Sequence, residues 1–228
     1  MKEAIRKIVL SLGADVCGFA STDRFQDAPA GFAPTDVWSA CKTVIAFGIA
    51  LPKGLLEVPG NLIYGYFNNQ TAGQTDRIAL EAARKIERDC QAKAVPVPCD
   101  APYDAWDEET MTGTGILSMR HAAAACGLGQ PGKSGLLLNP TYGNRLTIGV
   151  ILTDLSLPSD DPCESICLPD CTRCIDACPA NAIQTEGTVR QSACRPNTFG
   201  QNARGFATVN CNRCRTVCPM RFGKGTNE

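Results

Sequence analysis

The chain has 228 residues, of which 44% are hydrophobic, and its formal net charge is −1. This length and composition allow one large domain, or one domain with a small module, and the balanced charge points to neither nucleic acid nor an anionic membrane as a partner. The single histidine, His121, excludes a metal site built from several histidines.

The first predicted element is an amphipathic helix over residues 2–12. Ile5, Val9 and Leu12 recur at helical spacing with charged residues between them, unlike the unbroken apolar core of a signal peptide. No stretch approaches the roughly 20 apolar residues that a membrane-spanning helix needs. We therefore expect a cytoplasmic protein that is not bound to a membrane and whose thiols stay reduced.

A strand and a long helix follow. Residues 43–50 are rich in β-branched and apolar side chains, which predicts a buried strand. Residues 73–94 predict a long helix, with Thr75 as its N-cap and with Pro96 and Pro98 ending it.

The rest of the first domain alternates between loop, helix and strand patterns. An acidic, aromatic loop covers residues 99–109, and an alanine-rich helix is predicted at 116–126. Strands are predicted at 134–139 and 145–154. We expect these elements to form a mixed α/β (α+β) domain over residues 1–157.

Residues 158–228 are predicted to form a second domain built around cysteines. The chain has fourteen cysteines, and nine of them lie between residues 163 and 218. The pattern Cys-x2-Cys-x3-Cys-Pro occurs at 171–179 and again at 211–219. In such runs the cysteine before proline ligates the other of two [4Fe–4S] clusters. The pattern predicts one cluster on Cys167, Cys171, Cys174 and Cys218, and a second on Cys178, Cys194, Cys211 and Cys214.

Two alternatives remain open for this module. The spacing from Cys167 to Cys171 is Cys-x3-Cys, where Cys-x2-Cys is usual, so Cys163 competes as the first ligand. Paired Cys-x2-Cys spacings also suit zinc, although the repeated ending Cys-x3-Cys-Pro favours iron–sulfur clusters.

Basic residues around the second run are expected either to guide an acidic electron donor or to form a solvated face. They are Arg190, Arg195, Arg204, Arg213, Arg215, Arg221 and Lys224.

Residues 127–134 match the phosphate-binding pattern G-x4-G-K-[ST]. That pattern needs a strand before it and a helix after it, and here the order is reversed. We interpret the segment as a glycine-rich turn that lets the backbone approach a cofactor closely. The candidate contacts are Gly127, Leu128, Gly129, Gln130, Pro131, Gly132, Lys133 and Ser134.

Three segments carry a resemblance to a known family. They are the opening stretch Leu12–Phe19, the block Cys126–Asn139, which is similar to A-G-L-G-W-x-G-K-x-x-L-x-x-N, and the strand 152–158 that leads into the cysteine module. In this order they resemble the epoxyqueuosine reductase family and its relatives, the corrinoid-dependent reductive dehalogenases. The likeness is collinear over nearly the whole chain.

The resemblance implies a nitroreductase-like core followed by a two-cluster module like a bacterial ferredoxin. It implies an oxidoreductase in which electrons pass through the clusters to a corrinoid (cobalamin), contacted by the turn 127–134 and by Tyr64 and Tyr66. The acidic donor that we expect from the basic residues is a ferredoxin or flavodoxin. The substrate is a small molecule or a corrinoid protein, and such cores often form homodimers. The alternatives are an iron–sulfur flavoprotein with FMN, and an electron carrier without an organic cofactor.

The chain departs from the family pattern at the proton donor. The family carries an aspartate in a D-S-A-P stretch, and counting back from Gly127 places Gly113 at that position. The sequence as given also ends soon after the second cysteine run, without a helical-repeat domain. We therefore expect neither epoxyqueuosine reduction nor nucleic-acid binding, and we assign no catalytic residue. Carboxylates that could replace the aspartate are Asp100, Asp104, Asp107, Glu108 and Glu109.

Overall fold

The computed structural model describes residues 1–225 as an antiparallel sheet with helices on both faces, followed by a cysteine-rich segment. The helices are α1 (Lys2–Ser11), α2 (Pro34–Val37), α3 (Leu62–Cys90), α4 (Met119–Ala125), α5 (Arg173–Asp176), α6 (Gln191–Thr198) and α7 (Arg213–Thr216). The strands are β1 (Val16–Ser21), β2 (Thr43–Ala50), β3 (Ala94–Val97), β4 (Ala105–Asp107), β5 (Thr112–Thr114), β6 (Gln130–Pro131), β7 (Leu137–Leu138), β8 (Leu146–Thr153), β9 (Phe199–Gln201) and β10 (Ala207–Val209).

The main sheet has the strand order β1-β2-β8-β3, and every pair in it is antiparallel. The central pair runs in register from Thr43 opposite Thr153 to Ala50 opposite Leu146. The predicted strand 43–50 is therefore confirmed, and the strand predicted at 145–154 is confirmed to within a residue at each end. The strand predicted at 134–139 is reduced to the two residues of β7.

Two apolar cores lie on opposite faces of the sheet, because successive strand residues point to opposite sides. Ile45 and Phe47 pack with the buried residues of α1 and α3 on one face. Val44 and Ala46 pack with α4 on the other face. The mixed helix-and-sheet fold class predicted from the sequence is confirmed by this arrangement.

Helix α3 differs from its prediction at both ends. It begins at Leu62 and ends at Cys90, so Thr75 is an interior residue, fully buried, whose hydroxyl donates to the Thr71 carbonyl. The prediction of Thr75 as an N-cap was wrong. The early start is fixed by packing, since a Cβ on Gly65 would lie 2.9 Å from the Cβ of Val209. Even this helix, like the others within residues 1–225, is too short or too polar to cross a membrane.

Two regions of the chain form strands that were not predicted. Strand β3 contains Pro96, which cannot donate to a ladder, yet it pairs only with β8 at the edge of the sheet, where proline is tolerated. Strand β4 lies within the segment predicted as an acidic, aromatic loop, and it pairs with β5, which follows that segment. The alanine-rich helix predicted at 116–126 is confirmed as the shorter α4.

The segment that enters the cysteine-rich part is tied to the start of the chain. The Asp160 carboxylate forms ion pairs with Lys2 at 2.7 Å and with Arg6 at 3.0 Å, and it accepts from the Phe19 backbone N–H at 3.0 Å. The Asp160 N–H in turn donates to the Phe19 carbonyl at 2.8 Å. The segment thus lies along β1 and is anchored to α1. The division of the chain at residue 157 stays a prediction.

Candidate functional site

Four cysteines converge on one cleft at the surface of the cysteine-rich segment. Three belong to the first run, and the fourth, Cys218, comes from the second run. The remaining walls are largely apolar and include the tip of the turn between β6 and β7. The lining residues are Gly132, Lys133, Ser134, Leu138, Cys167, Leu168, Cys171, Cys174, Cys218, Pro219 and Met220.

The donor set of this cleft fits a [4Fe–4S] cluster, which takes four thiolates. The cleft has a volume of about 340 Å³ including its opening to solvent. The centre of a water molecule could occupy only about 20 Å³ of it. The fit therefore rests on the four thiols and their apolar surroundings, and not on the volume.

Electrostatics around these thiols favour a cationic occupant. Burial raises the pKa of the Cys218 thiol, and the neighbouring Cys174, Cys167 and Cys171 raise it further. Thiolates brought together in this way repel one another. Iron binding must displace their protons and offset that repulsion.

A second group of cysteines lies around α6 and α7. Burial raises the pKa of Cys214 to about 11, opposed by the positive charge of Arg215 and reinforced by Cys194 and Cys211. The Cys194 sulfur lies 3.6 Å from the Thr198 hydroxyl, within reach of a hydrogen bond to sulfur. Such bonds tune the reduction potential of an iron–sulfur cluster.

The two remaining cysteines of the module have different surroundings. The Cys178 sulfur accepts from the Ala182 N–H at 3.3 Å, as cluster sulfurs commonly do. The Cys163 sulfur instead lies 3.4 Å from the Glu164 carbonyl, and Cys163 is not among the residues that line the cleft. Of the two candidates for first ligand, Cys167 is the one that lines the cleft, and its role as a ligand stays a prediction.

A zinc site and an iron–sulfur cluster differ in the spacing of their sulfurs. Within residues 1–225, no three histidine, cysteine, aspartate or glutamate side chains are close enough together to hold one ion. A single zinc ion needs its sulfurs about 2.3 Å from one centre, whereas a cubane spreads four sulfurs over four irons. The two kinds of site thus demand different sulfur spacings.

The turn 127–134 joins the sheet domain to the cysteine loop. Gly127 adopts a φ of 76°, and a Cβ there would strike the carbonyl of Asp161. At the other end of the turn, the Lys133 ammonium donates to carbonyls of the cysteine loop. The described contacts of this turn are with the chain itself. Its role as a corrinoid contact stays a prediction.

The two tyrosines that were predicted to lie beside the corrinoid differ in their exposure to solvent. Tyr64 is buried against Leu51 and Val209, whereas Tyr66 is 60% exposed. Tyr66 lines a second cavity, which has about 340 Å³ clear of its walls and about 780 Å³ including its opening. Pockets for drug-sized ligands span about 300–1,000 Å³, and a corrinoid is larger than such ligands. Neither cavity described here encloses a corrinoid.

A joint between the β4–β5 hairpin and α6 was not predicted from the sequence. The Gln191 side chain donates to the Gly113 carbonyl and accepts from the Gly113 N–H, both at 3.0 Å. The Arg195 guanidinium donates to the Tyr103 hydroxyl at 3.0 Å and lies 5.2 Å from the centre of the Trp106 ring. The one available signal was the aromatic pair in an otherwise acidic loop.

Gly113, which counting without gaps places at the position of the family's aspartate, has little room for a side chain. A Cβ there would lie 2.9 Å from Tyr103 Cδ1 and 3.1 Å from Trp106 Cε3. Among the replacement carboxylates, Asp107 accepts from the Thr110 hydroxyl and backbone N–H, which lower its pKa. A carboxyl with a lowered pKa is a poor proton donor at neutral pH.

Several of the basic residues around the second run bind within the chain. Arg215 donates to the Asn144 carbonyl, and Arg190 donates to the Asn181 carbonyl at 2.9 Å. Arg195 is held in the hairpin joint. The guanidinium groups of these three arginines are therefore already engaged in contacts that stabilise the fold.

The single histidine, His121, lies 2.8 Å from the Ser118 hydroxyl in a local contact of α4.

Curated proteins with sequences similar to this chain are epoxyqueuosine reductases. An epoxyqueuosine reductase from Lactococcus garvieae is 29% identical over the whole of this chain and 71% of its own length. Another, from Bacillus anthracis, is 26% identical over 98% of this chain and 65% of its own length. The predicted resemblance to epoxyqueuosine reductases is confirmed. No family model matches the chain.

Solved structures share the fold. An epoxyqueuosine reductase bound to a tRNA stem loop aligns with a TM-score of 0.67 and 20% identity over the whole chain. A catabolic reductive dehalogenase in complex with 3-bromo-4-hydroxybenzoic acid aligns with a TM-score of 0.69 and 20% identity over 96% of the chain. A further reductive dehalogenase, studied for B12-dependent dehalogenation, gives a TM-score of 0.68.

The chain spans only part of these proteins. It covers 66% of the tRNA-bound reductase and 31% of the two dehalogenases. Several of the curated epoxyqueuosine reductases are likewise covered over about two thirds of their length, at 64% to 66%.

Proposed function

We propose that the chain is an iron–sulfur redox protein that passes low-potential electrons, one at a time, through two [4Fe–4S] clusters to an acceptor for a reductive reaction. The observation that carries the proposal is the convergence of three cysteines from the first run with Cys218 from the second on one cleft. This crossing between runs is what a two-cluster pattern requires. The names of the relatives, reductases and dehalogenases, support a reductive role.

The residues of the chain that would hold the clusters follow from this crossing. We assign the first cluster to the four cysteines of the cleft and the second to the group around α6 and α7, with Cys178 as its fourth ligand. When bound, the clusters supply reversible one-electron transfer. The Ala182 N–H and the Thr198 hydroxyl would then stabilise negative charge on the sulfurs of Cys178 and Cys194.

The acceptor and the reaction belong to the same proposal. The B12-dependent dehalogenation of one structural neighbour makes a corrinoid the first acceptor to test, with FMN or no organic cofactor as alternatives. Neither of these two cavities is large enough for a corrinoid, so the proposal places it outside them, on an open face or on a partner protein. A small molecule is our first substrate class. The tRNA stem loop bound to one neighbour makes tRNA the competing class, against the expectation from net charge.

The test is an anaerobic purification followed by incubation with hydroxocobalamin, desalting, an absorption spectrum, and analysis of iron and acid-labile sulfide. Two clusters require about eight irons per chain. Eight irons with stoichiometric corrinoid support the full proposal. Eight irons without corrinoid leave the redox role and remove the corrinoid, and a chain that binds no iron contradicts the proposal.

A further inference from the structure

The tip of the β6–β7 hairpin closes on itself through its backbone. The Gly132 N–H donates to the Leu136 carbonyl at 2.9 Å, and the Gly135 N–H donates to the Gly132 carbonyl at 2.8 Å. These two amides are therefore used within the hairpin and do not form a phosphate cradle. The tip carries one charged side chain, that of Lys133.

Lys133 reaches out of the sheet domain to the cysteine loop. Its ammonium donates to the Cys171 carbonyl at 3.0 Å and also to the Pro169 carbonyl. Both carbonyls belong to the loop that leads from Cys167 to Cys171. One ammonium thus fixes the backbone that presents Cys171 to the cleft.

Close packing brings the hairpin tip beside one of the sulfurs. A Cβ on Gly132 would lie 3.5 Å from the Cys167 sulfur and 2.8 Å from Leu138 Cδ1, so a larger residue would push the hairpin away. Gly132, Lys133 and Ser134 all line the cleft together with the four cysteines. The hairpin tip is therefore part of the wall around the proposed cluster.

The charge of Lys133 is available to that cluster. Its ammonium forms no ion pair within the part of the chain that the structure describes, residues 1–225. Four thiolates make a cluster anionic, and reduction adds one more negative charge. A fixed positive charge nearby stabilises the reduced form more than the oxidised form, which raises the reduction potential.

We propose that Lys133 is a positioning residue for the cluster on Cys167, Cys171, Cys174 and Cys218. It holds the loop that carries Cys171, and its charge raises the reduction potential of this cluster above the value without it. The inference rests on the proposed function, because it needs a cluster in the cleft. It gives the lysine of the G-x4-G-K pattern a role toward iron and sulfur instead of phosphate.

The experiment compares Lys133→Met and Lys133→Arg with the wild type and with Lys7→Met, whose lysine is exposed on α1. Each protein is purified anaerobically, and iron, sulfide and far-UV circular dichroism are measured first. A redox titration followed by electron paramagnetic resonance then gives the reduction potentials of both clusters. The K133M variant is expected to lower the potential of one cluster and leave the other unchanged. K133R and K7M are expected to stay near the wild-type values.

The remaining outcomes also decide the inference. Loss of about four irons in K133M, with the second cluster and the dichroism unchanged, supports the positioning role. Unchanged potentials with full iron overturn the inference, as does loss of both clusters together, which assigns Lys133 to general folding. Wild-type protein without iron contradicts the proposed function itself, and this result is read before any variant is compared.

Discussion

Arg195 on helix α6 donates a hydrogen bond to the Tyr103 hydroxyl at 3.0 Å, and its guanidinium lies 4.9 Å from the centre of the same ring. The Tyr103 and Trp106 rings stack with centroids 5.4 Å apart, so one cation packs against both. The helix that carries Cys194 is thereby joined to the hairpin that carries Gly113.

Replacement of Arg195 by alanine is expected to loosen this hairpin. Cation–π contacts contribute roughly 0.5–2 kcal/mol each, and this one is coupled to a hydrogen bond. Hydrogen exchange measured by mass spectrometry over residues 103–114 should become faster in R195A. The matched control is Arg204→Ala, since the Arg204 guanidinium lies over the exposed Phe206 ring. Exchange at the wild-type rate in R195A would show that the joint does not hold the hairpin.

The choice between Cys167 and Cys163 as first ligand is tested by serine substitution. C167S is expected to lose about half of the iron, because one of two [4Fe–4S] clusters lacks a ligand. C163S should keep the full content, because Cys163 lies outside the cleft. Iron and sulfide analysis of anaerobically purified proteins measures both. Iron loss in C163S alone would reverse the assignment.

Asp160→Asn is expected to destabilise the fold by about 1–3 kcal/mol. The Lys2 ammonium, the Arg6 guanidinium and the Phe19 backbone N–H would lose their ionised acceptor. Urea unfolding followed by circular dichroism measures this loss. The control is Asp89→Asn, which removes an exposed pair with Arg88. Equal unfolding midpoints for D160N and wild type at neutral pH would refute the prediction.

The same carboxylate gives a pH dependence. Burial alone would raise the pKa of Asp160, but hydrogen bonds and charges from Lys2 and Arg6 outweigh it and lower the pKa. A lowered pKa stabilises the fold fully above the unfolded value of about 3.9, and the contribution is lost as pH falls through the folded value. The gap in unfolding free energy between wild type and D160N should therefore narrow below about pH 4.

Gly143 is expected to be intolerant of alanine. It adopts a φ of 60°, and a Cβ there would strike the backbone of Arg221, just after Cys218. Gly205 has a φ of 80° with open space around it, so G205A measures backbone strain alone. Strain at such a position costs about 1 kcal/mol. Thermal unfolding should show a larger loss for G143A, accompanied by lower iron content, and equal losses would exclude a packing effect.

Local patterns were sufficient for some elements and not for others. The helix Lys2–Ser11 follows from the periodicity of its buried face. The strand Thr43–Ala50 follows from its unbroken run of β-branched and apolar residues, because it is buried on both faces. The start of α3 was missed because its first turns are stabilised by Gly65 packing on Val209, which is distant in sequence. The strand with Pro96 was missed because its edge position depends on the order of strands in the sheet.

The candidate site was likewise predicted from the sequence only in part. Spacing alone grouped Cys218 with the first run, since the rule for two-cluster motifs is local. It did not predict that Lys133 binds the cysteine loop, or that Gln191 binds Gly113 on both sides. Those contacts join segments far apart in the chain, and no periodicity relates such segments.

The contact between Asn144 and Arg215 also has a practical consequence. The Asn144 amide donates to the Arg215 carbonyl at 3.0 Å, and the Arg215 guanidinium donates back to the Asn144 carbonyl. Asn144 lies two residues before the central strand β8, and Arg215 follows Cys214. With the proposed clusters in place, a substitution that unfolds the sheet would also release the clusters, and the protein would lose their brown colour. The colour of expressing cells would then let a library of sheet variants be sorted by eye.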